Sequence, residues 1–381
     1  MISIIRSKQL RSRFAVALAL TAAILLPLVA NAQKYEVDMK NSGAAVVIEQ
    51  PQPGYPGGSV RRGQEGWVKM SFVVAADGRA IDPIIIDSSG GAGFEREARE
   101  AVSTWRFEAT TSSAELPYVV INIRSEIRRG RNAATRDFIR QYRRIMTHLY
   151  NEKNEHARKM ADSTYDLGGW NLYESTMLWL MLGRVEGVEG NHAGKLEMYR
   201  RALGVSNSKS LPRKDRRELL RKIFMLEANF GQYAAAMQTL ALLKNVAGSE
   251  KTVASLAERA EQIENDLIHS DIVRANATIT NPCDCDDGQP LWHHAPTRRT
   301  FSFANLNGNV ERFEARCESQ RLSSDVEEGK LWTLAPEWGL CRIFVFGDDG
   351  ARFDFLEHLS DNNEGKPAGQ TAVAASNYRD D

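Results

Sequence analysis

The spacing of hydrophobic residues changes along this chain, and the changes divide it. Val68, Met70, Phe72 and Val74 alternate with Trp67, Lys69, Ser71 and Val73, the period of two that a strand buried on one face requires. The run stops at Asp77-Gly78, which supplies the positive φ angles of a hairpin turn. Apolar residues resume at Ile81 and at Ile84 to Ile86, predicting a second strand paired back on the first. Ser88-Ser89-Gly90-Gly91 breaks that strand. Phe94, Ala98, Ala101, Val102 and Trp105 then follow at helical spacing and present one stripe to the sheet. After a polar loop, Val119, Ile121 and Ile123 alternate again as a third strand.

From about residue 132 to 272 the period is helical. Leu172 to Leu182 is rich in Met, Leu and Trp, and Gly190 separates it from a second helix ending near Leu203. Glu218 to Phe230 runs into Gly231 and a second helix to Leu240 in the same way. These helical hairpins resemble degenerate tetratricopeptide pairs, which imply a docking surface for proteins; a plain helical spacer is the competing reading. Eight arginines (124, 128, 129, 131, 136, 140, 143 and 144) crowd the approach to this region. Phe138, Tyr142, Ile145 and Leu149 form an apolar stripe through the same segment, so a solvated helix face is favoured over a site for an anionic partner.

Strands return after Pro282. Phe301 and Phe303 alternate with polar residues, Asn307-Gly308 predicts one hairpin, and Leu340 to Phe346 followed by Gly347 to Gly350 predicts another. A small antiparallel β domain is expected over 275–360, and a disordered tail over 361–381. The fold class is multidomain α+β: an α+β domain, all-α helical hairpins, then antiparallel β.

Forty-nine basic and forty-nine acidic side chains cancel, so no global field argues for a nucleic-acid partner. Arg6, Lys8, Arg11 and Arg13 precede an apolar run from Phe14 to Ala30, and Ala30-Asn31-Ala32 is a small-x-small cleavage site. Residues 1–32 therefore read as a secretory signal, with retention as an inner-membrane anchor as the alternative. The run would make a helix about 25 Å long, at the lower limit for spanning a bilayer. The remainder of the chain is expected to be periplasmic, with residues 33–45 as a linker.

Tyr55-Pro56, Glu65-Gly66, Asp77-Gly78, Ser88-Ser89-Gly90 and Trp105-Arg106-Phe107, in this order and spacing, resemble the C-terminal domain of the TonB family of periplasmic energy transducers over about residues 46–128. The resemblance implies an α+β fold whose exposed last strand adds an extended segment of an outer-membrane receptor to its sheet. It departs from the family at Gly57-Gly58-Ser59 and at Glu108-Ala109. The domain is also neither C-terminal nor preceded by a long Pro-rich spacer. The stretch from Gln33 to Pro53 reaches at most ~70 Å fully extended. A retained anchor therefore keeps the domain near the inner membrane, and a cleaved one removes the link to a motor.

All four cysteines, Cys283, Cys285, Cys317 and Cys341, fall in the β domain. In an oxidising compartment they point to disulfides, with Cys317 and Cys341 as the first choice of pair. A metal held by Cys283, Cys285, His293 and His294 is the less favoured alternative, because the spacing matches no standard zinc pattern. No catalytic signature is present, Asp77 and Asp87 read as turn and strand-end residues, and no cofactor is expected.

The function expected is therefore that of a TonB-like periplasmic protein taking part in envelope transport. Its partner would be an extended peptide of an envelope protein, such as an outer-membrane receptor, bound by strand addition along about Leu116 to Ile127. Backbone groups would carry the binding. The side chains of Tyr118, Val120, Asn122 and Arg124, or those of the opposite face, would tune it. Inner-membrane motor proteins are further partners if the amino-terminal helix is kept. The alternative is a periplasmic scaffold that docks partners through its helical array without energy transduction.

Overall fold

The structure is a computed structural model that describes residues 33–41, 45–89, 91–109, 116–127, 134–206, 210–282 and 288–359. The first domain contains β1 (Gln33–Asn41), β2 (Val47–Glu49), α1 (Gly57–Arg62), β3 (Gly66–Val74), β4 (Ala80–Ser88), α2 (Ala92–Thr104), β5 (Arg106–Phe107) and β6 (Leu116–Ile127). Four strands form an antiparallel sheet in the order β1-β6-β3-β4, and β2 pairs with β5. The segment read as a linker is thus in part a strand of the sheet.

Helix α2 lays Phe94, Ala98 and Val102 on Met70, Phe72, Ile121 and Ile123, and Trp105 closes its end against the same core. The alternation in β3 predicts burial on one face, yet every β3 residue except Lys69 is buried. The reason lies outside the domain. Trp67 inserts into the core of the helical region, and Ile84, Ile86 and Val120 pack against Leu291, Phe344 and Phe346 of the carboxy-terminal domain.

The helical region comprises α3 (Arg136–Tyr150), α4 (Asn154–Leu167), α5 (Leu172–Val188), α6 (His192–Val205), α7 (Arg213–Asn229), α8 (Tyr233–Lys244), α9 (Glu250–Ala254) and α10 (Ala257–His269). Consecutive helices pack as pairs, α3 with α4, α5 with α6 and α7 with α8. Helices α5 and α6 approach so closely that a Cβ on Gly183 would stand 2.5 Å from the Tyr199 ring. Helix α5 is buried on most of its circumference, which is why it is apolar nearly all round. On α3, Phe138 and Ile145 are buried while Arg136, Arg140, Arg143 and Arg144 are exposed; Arg128, Arg129 and Arg131 lie outside the described residues.

The third domain holds β7 (Ile272–Thr278), β8 (Leu291–His294), β9 (Thr300–Asn307), β10 (Val310–Cys317), β11 (Arg321–Asp325), β12 (Trp332–Thr333), β13 (Cys341–Gly347) and β14 (Arg352–His358). They form two four-stranded sheets, β11-β10-β13-β8 and β12-β9-β14-β7, around a core of Phe301, Phe303, Phe313, Trp332, Val345 and Phe355. Both turns read as hairpins instead carry the chain between sheets: β9 and β10 belong to different sheets, and so do β13 and β14. Gly308 and Gly350 take positive φ there, so the turn chemistry is as read and only the pairing differs. Among the described residues no helix is long and apolar enough to cross a membrane.

Candidate peptide-binding edge

The sequence predicts an open edge along β6. In the structure β1 occupies it, antiparallel and in continuous register from Gln33 opposite Ile127 to Asn41 opposite Val119. Main-chain groups of β6 are therefore shared between β3 on one side and β1 on the other. The far edge of the sheet is protected. Strand β4 carries Pro83, which lacks an N–H, Asp82 at φ 48°, and two register shifts against β3. Arg321 of the third domain also pairs with Asp82 at 2.6 Å.

The side chains expected to tune recognition point elsewhere. Val120 is only 6% exposed and sits against Leu291, Phe344 and Phe346. Arg124 is half-buried, with Nη2 donating to the Gly204 carbonyl at 3.5 Å, and Asn122 is half-buried on the same face. The Tyr118 side chain lies outside the described residues. On the face toward α2, Val119, Ile121 and Ile123 are buried, and half-buried Val37 and Met39 of β1 stand opposite Ile123 and Ile121.

The motif residues build the scaffold of this edge. The Tyr55 hydroxyl donates to the Gln64 carbonyl at 2.6 Å, its ring meets Phe94 edge-on, and Pro56 precedes α1. Gly66 leaves room for Phe94, since a Cβ there would stand 2.6 Å from that ring. Asp77 accepts from the Arg79 amide at 3.1 Å and its Nε at 2.6 Å, which hold its carboxyl below the usual range. Gly78 has φ +82°, and a Cβ would lie 2.1 Å from the Phe107 carbonyl oxygen. Ser88 bonds the buried Glu95 carboxylate at the start of α2, and Ser89 Oγ accepts from the Trp67 amide at 3.0 Å. Trp105 Nε1 donates to the Pro51 carbonyl at 3.0 Å, Arg106 Nη1 to the Trp105 carbonyl at 2.8 Å, and Phe107 is buried. Gly90 lies outside the described residues.

Glu65 reaches out of the domain. Its Oε2 accepts from the Leu172 amide at 3.0 Å, at the first turn of α5. Beside it, Asn171 and Glu174 form a capping box, so three residues from two domains satisfy that helix end.

Sequence reasoning missed the junction of the three domains. A cavity of about 910 Å³ opens there, lined by residues that include Asp87, Glu197, Arg201, His293 and Asp354. Arg201 pairs with Asp87 at 3.1 Å and Glu197 at 2.7 Å, and its guanidinium lies 5.0 Å from the Trp179 ring. Burial pushes the Asp87 carboxyl up to about 6, against the opposing pull of Arg201, and raises Glu197 as well. Burial and then the Arg342 cation drive His293 well below its ordinary value. Glu197 and Arg201 stand four residues apart on α6, but no sequence spacing places Asp87, His293 and Asp354, which lie on strands of the other two domains, beside them.

Cys317 and Cys341 are joined by a disulfide across the directly opposed ends of β10 and β13. Cys283 and Cys285 lie outside the described residues. Of the histidines proposed with them, His294 Nε2 pairs with the buried Glu357 at 2.8 Å and His293 Nδ1 with Arg342 at 2.9 Å. Among the described residues no three His, Cys, Asp or Glu side chains are grouped to hold a metal.

Residues 51–124 match the family model described as the Gram-negative bacterial TonB protein C-terminal domain. Protein TonB of Pseudomonas aeruginosa is 39% identical over 69 residues, covering 18% of this chain and 20% of the relative. Protein TonB of Yersinia enterocolitica is 30% identical over 76 residues, covering 20% of this chain and 30% of the relative. The chain thus spans less than a third of the length of either relative. The solution structure of the Pseudomonas aeruginosa TonB carboxy-terminal domain matches at 30% identity with a TM-score of 0.20, over 22% of this chain and 89% of that one. The motif residues and the family model fall on one segment: residues 51–124 are similar to the C-terminal domain of TonB proteins, and in this chain helical and β domains follow that segment.

Proposed function

We propose that this chain is a TonB-like periplasmic protein that takes part in envelope transport by binding an extended segment of an envelope protein along β6. The observation that supports this reading most directly is the nine-residue antiparallel pairing of β6 with Gln33–Asn41, since an edge that holds one extended strand can hold another of matching pattern. Main-chain hydrogen bonds carry the affinity. Val120 and Arg124 are committed within the chain, so a bound strand would be selected on the opposite face, by packing its own side chains beside the buried Ile121 and Ile123 where Met39 and Val37 now lie.

Residues 1–32 direct export. If residues 1–32 are retained as a membrane anchor, the pairing of Gln33–Asn41 within the sheet keeps the domain close to the inner membrane, beside any motor proteins. An outer-membrane receptor then has to bring its own segment to the domain. The test is a photo-crosslinking residue at position 122, used in the native cell, with the linked peptide identified by mass spectrometry. The reading expects a segment of an envelope protein. Crosslinks only to residues 33–41 of the same chain, or partners attached only through α3 to α8, would falsify it.

A further inference from the structure

The strand that fills the β6 edge states what that edge accepts. Val37 and Met39 stand opposite Ile123 and Ile121 and pack on the core beneath α2, while Glu36, Asp38 and Lys40 fall at the alternate positions. Side chains of a strand alternate between faces, so one face of any occupant must be apolar at a spacing of two. The opposite edge of the sheet is closed by Pro83, by Asp82 at φ 48° and by its register shifts. Strand addition at the β4 edge is therefore disfavoured, and at the other end of the sheet β1 lies against β6.

We infer that β1 is an internal competitor, giving up its place to extended peptides that carry apolar residues at the two alternate positions filled by Val37 and Met39. This rests on the strand-addition reading above. Among the described strands β1 pairs with β6, and both its described side chains are only half-buried, whereas β3 on the other side of β6 is buried on both faces. Removal of residues 1–32 would leave β1 joined to the domain only through the few residues before Ala45, which is held in the core, so it can peel away without unthreading the domain. The same short tether keeps β1 at an effective concentration of roughly millimolar. An incoming peptide must therefore outcompete it, and weak or mispatterned segments are turned away.

The test uses a fluorescent nonapeptide of the sequence Gln33–Asn41 and a counterpart with aspartate at the positions of Val37 and Met39. Each is titrated by anisotropy against the intact chain, a chain lacking residues 33–41, and a full-length chain carrying Val37→Asp and Met39→Asp. The last variant weakens β1 without shortening the chain, so the readout survives if the truncated form does not fold. The expected result is at least about tenfold tighter binding of the parent peptide by both altered chains than by the intact one, with the aspartate peptide binding none. Equal binding of the parent peptide by intact and altered chains overturns the competition while leaving strand addition standing. Equal binding of the aspartate peptide overturns the selection rule. No binding by any chain, with circular dichroism showing them folded, removes strand addition and this inference together.

Discussion

Glu65 and Leu172, 107 residues apart, are joined by a hydrogen bond of 3.0 Å from the Leu172 amide to the Glu65 carboxylate. A residue that reads as part of a family motif thus stabilises the start of a helix in the next domain, where an anion is favoured by orphan amides and by the helix dipole. Glu65→Ala is expected to cost about 1 kcal/mol, and Glu65→Gln less, because the amide oxygen still accepts. Hydrogen exchange at Leu172 and Tyr173 checks this: it should quicken in the Ala variant while protection in β3 changes little.

Phe344 is fully buried where the sheet of the first domain meets the third. Phe344→Ala should cost about 3 kcal/mol through the cavity it leaves. Calorimetry is expected to show the first and third domains unfolding in separate transitions. A single transition that merely shifts would show that the contact does not couple them.

Gly78 and Gly63 both have positive φ, but only Gly78 lies against another chain segment. Gly63→Ala should cost about 1 kcal/mol for the backbone alone. Gly78→Ala adds a clash with the Phe107 carbonyl and should cost more than about 2 kcal/mol. Denaturant unfolding of the pair separates the two contributions.

The Asp87 carboxyl is raised by burial to about 6. Between its ordinary value near 4 and about 6, the folded state holds a proton that the unfolded state has released, so stability falls as pH rises through this window. Asp87→Asn should flatten that slope by an amount on the order of 1–2 kcal/mol between pH 4 and pH 6.5. Urea midpoints measured across this range for both proteins decide it. An unchanged slope would assign the pH dependence to Glu197 or elsewhere.

The disulfide closes a loop with a sequence separation of 24. Replacing Cys317 and Cys341 with serine should lower stability by about 3 kcal/mol, chiefly by freeing the unfolded chain. The loss is expected in the third domain and is read as a lower denaturation midpoint that reducing agent reproduces in the parent protein.

Short-range pattern decided which elements form. Alternation in Val68 to Val74, the Asp77-Gly78 turn and the helical stripe ending at Trp105 are local statements about backbone geometry and one buried face, and each corresponds to β3, its turn and α2. Cys317 and Cys341 were legible as a pair from compartment and predicted strand ends. What the sequence could not decide was which element lies beside which. Trp67, Ser71 and Val120 occupy the face that alternation assigns to solvent; they are buried because two later domains cover it. Asn307-Gly308 has hairpin chemistry, yet the core between two sheets sends β9 and β10 apart. The β6 edge is the clearest case: a stretch with the composition of a linker becomes β1 because a row of amides and carbonyls beside it is open to an extended segment within reach, and Val37 and Met39 supply the apolar face that packs on the core. Main-chain pairing carries no sequence signature of its own. Tertiary structure alone therefore revealed that the strand expected to wait for a partner already holds one from its own chain.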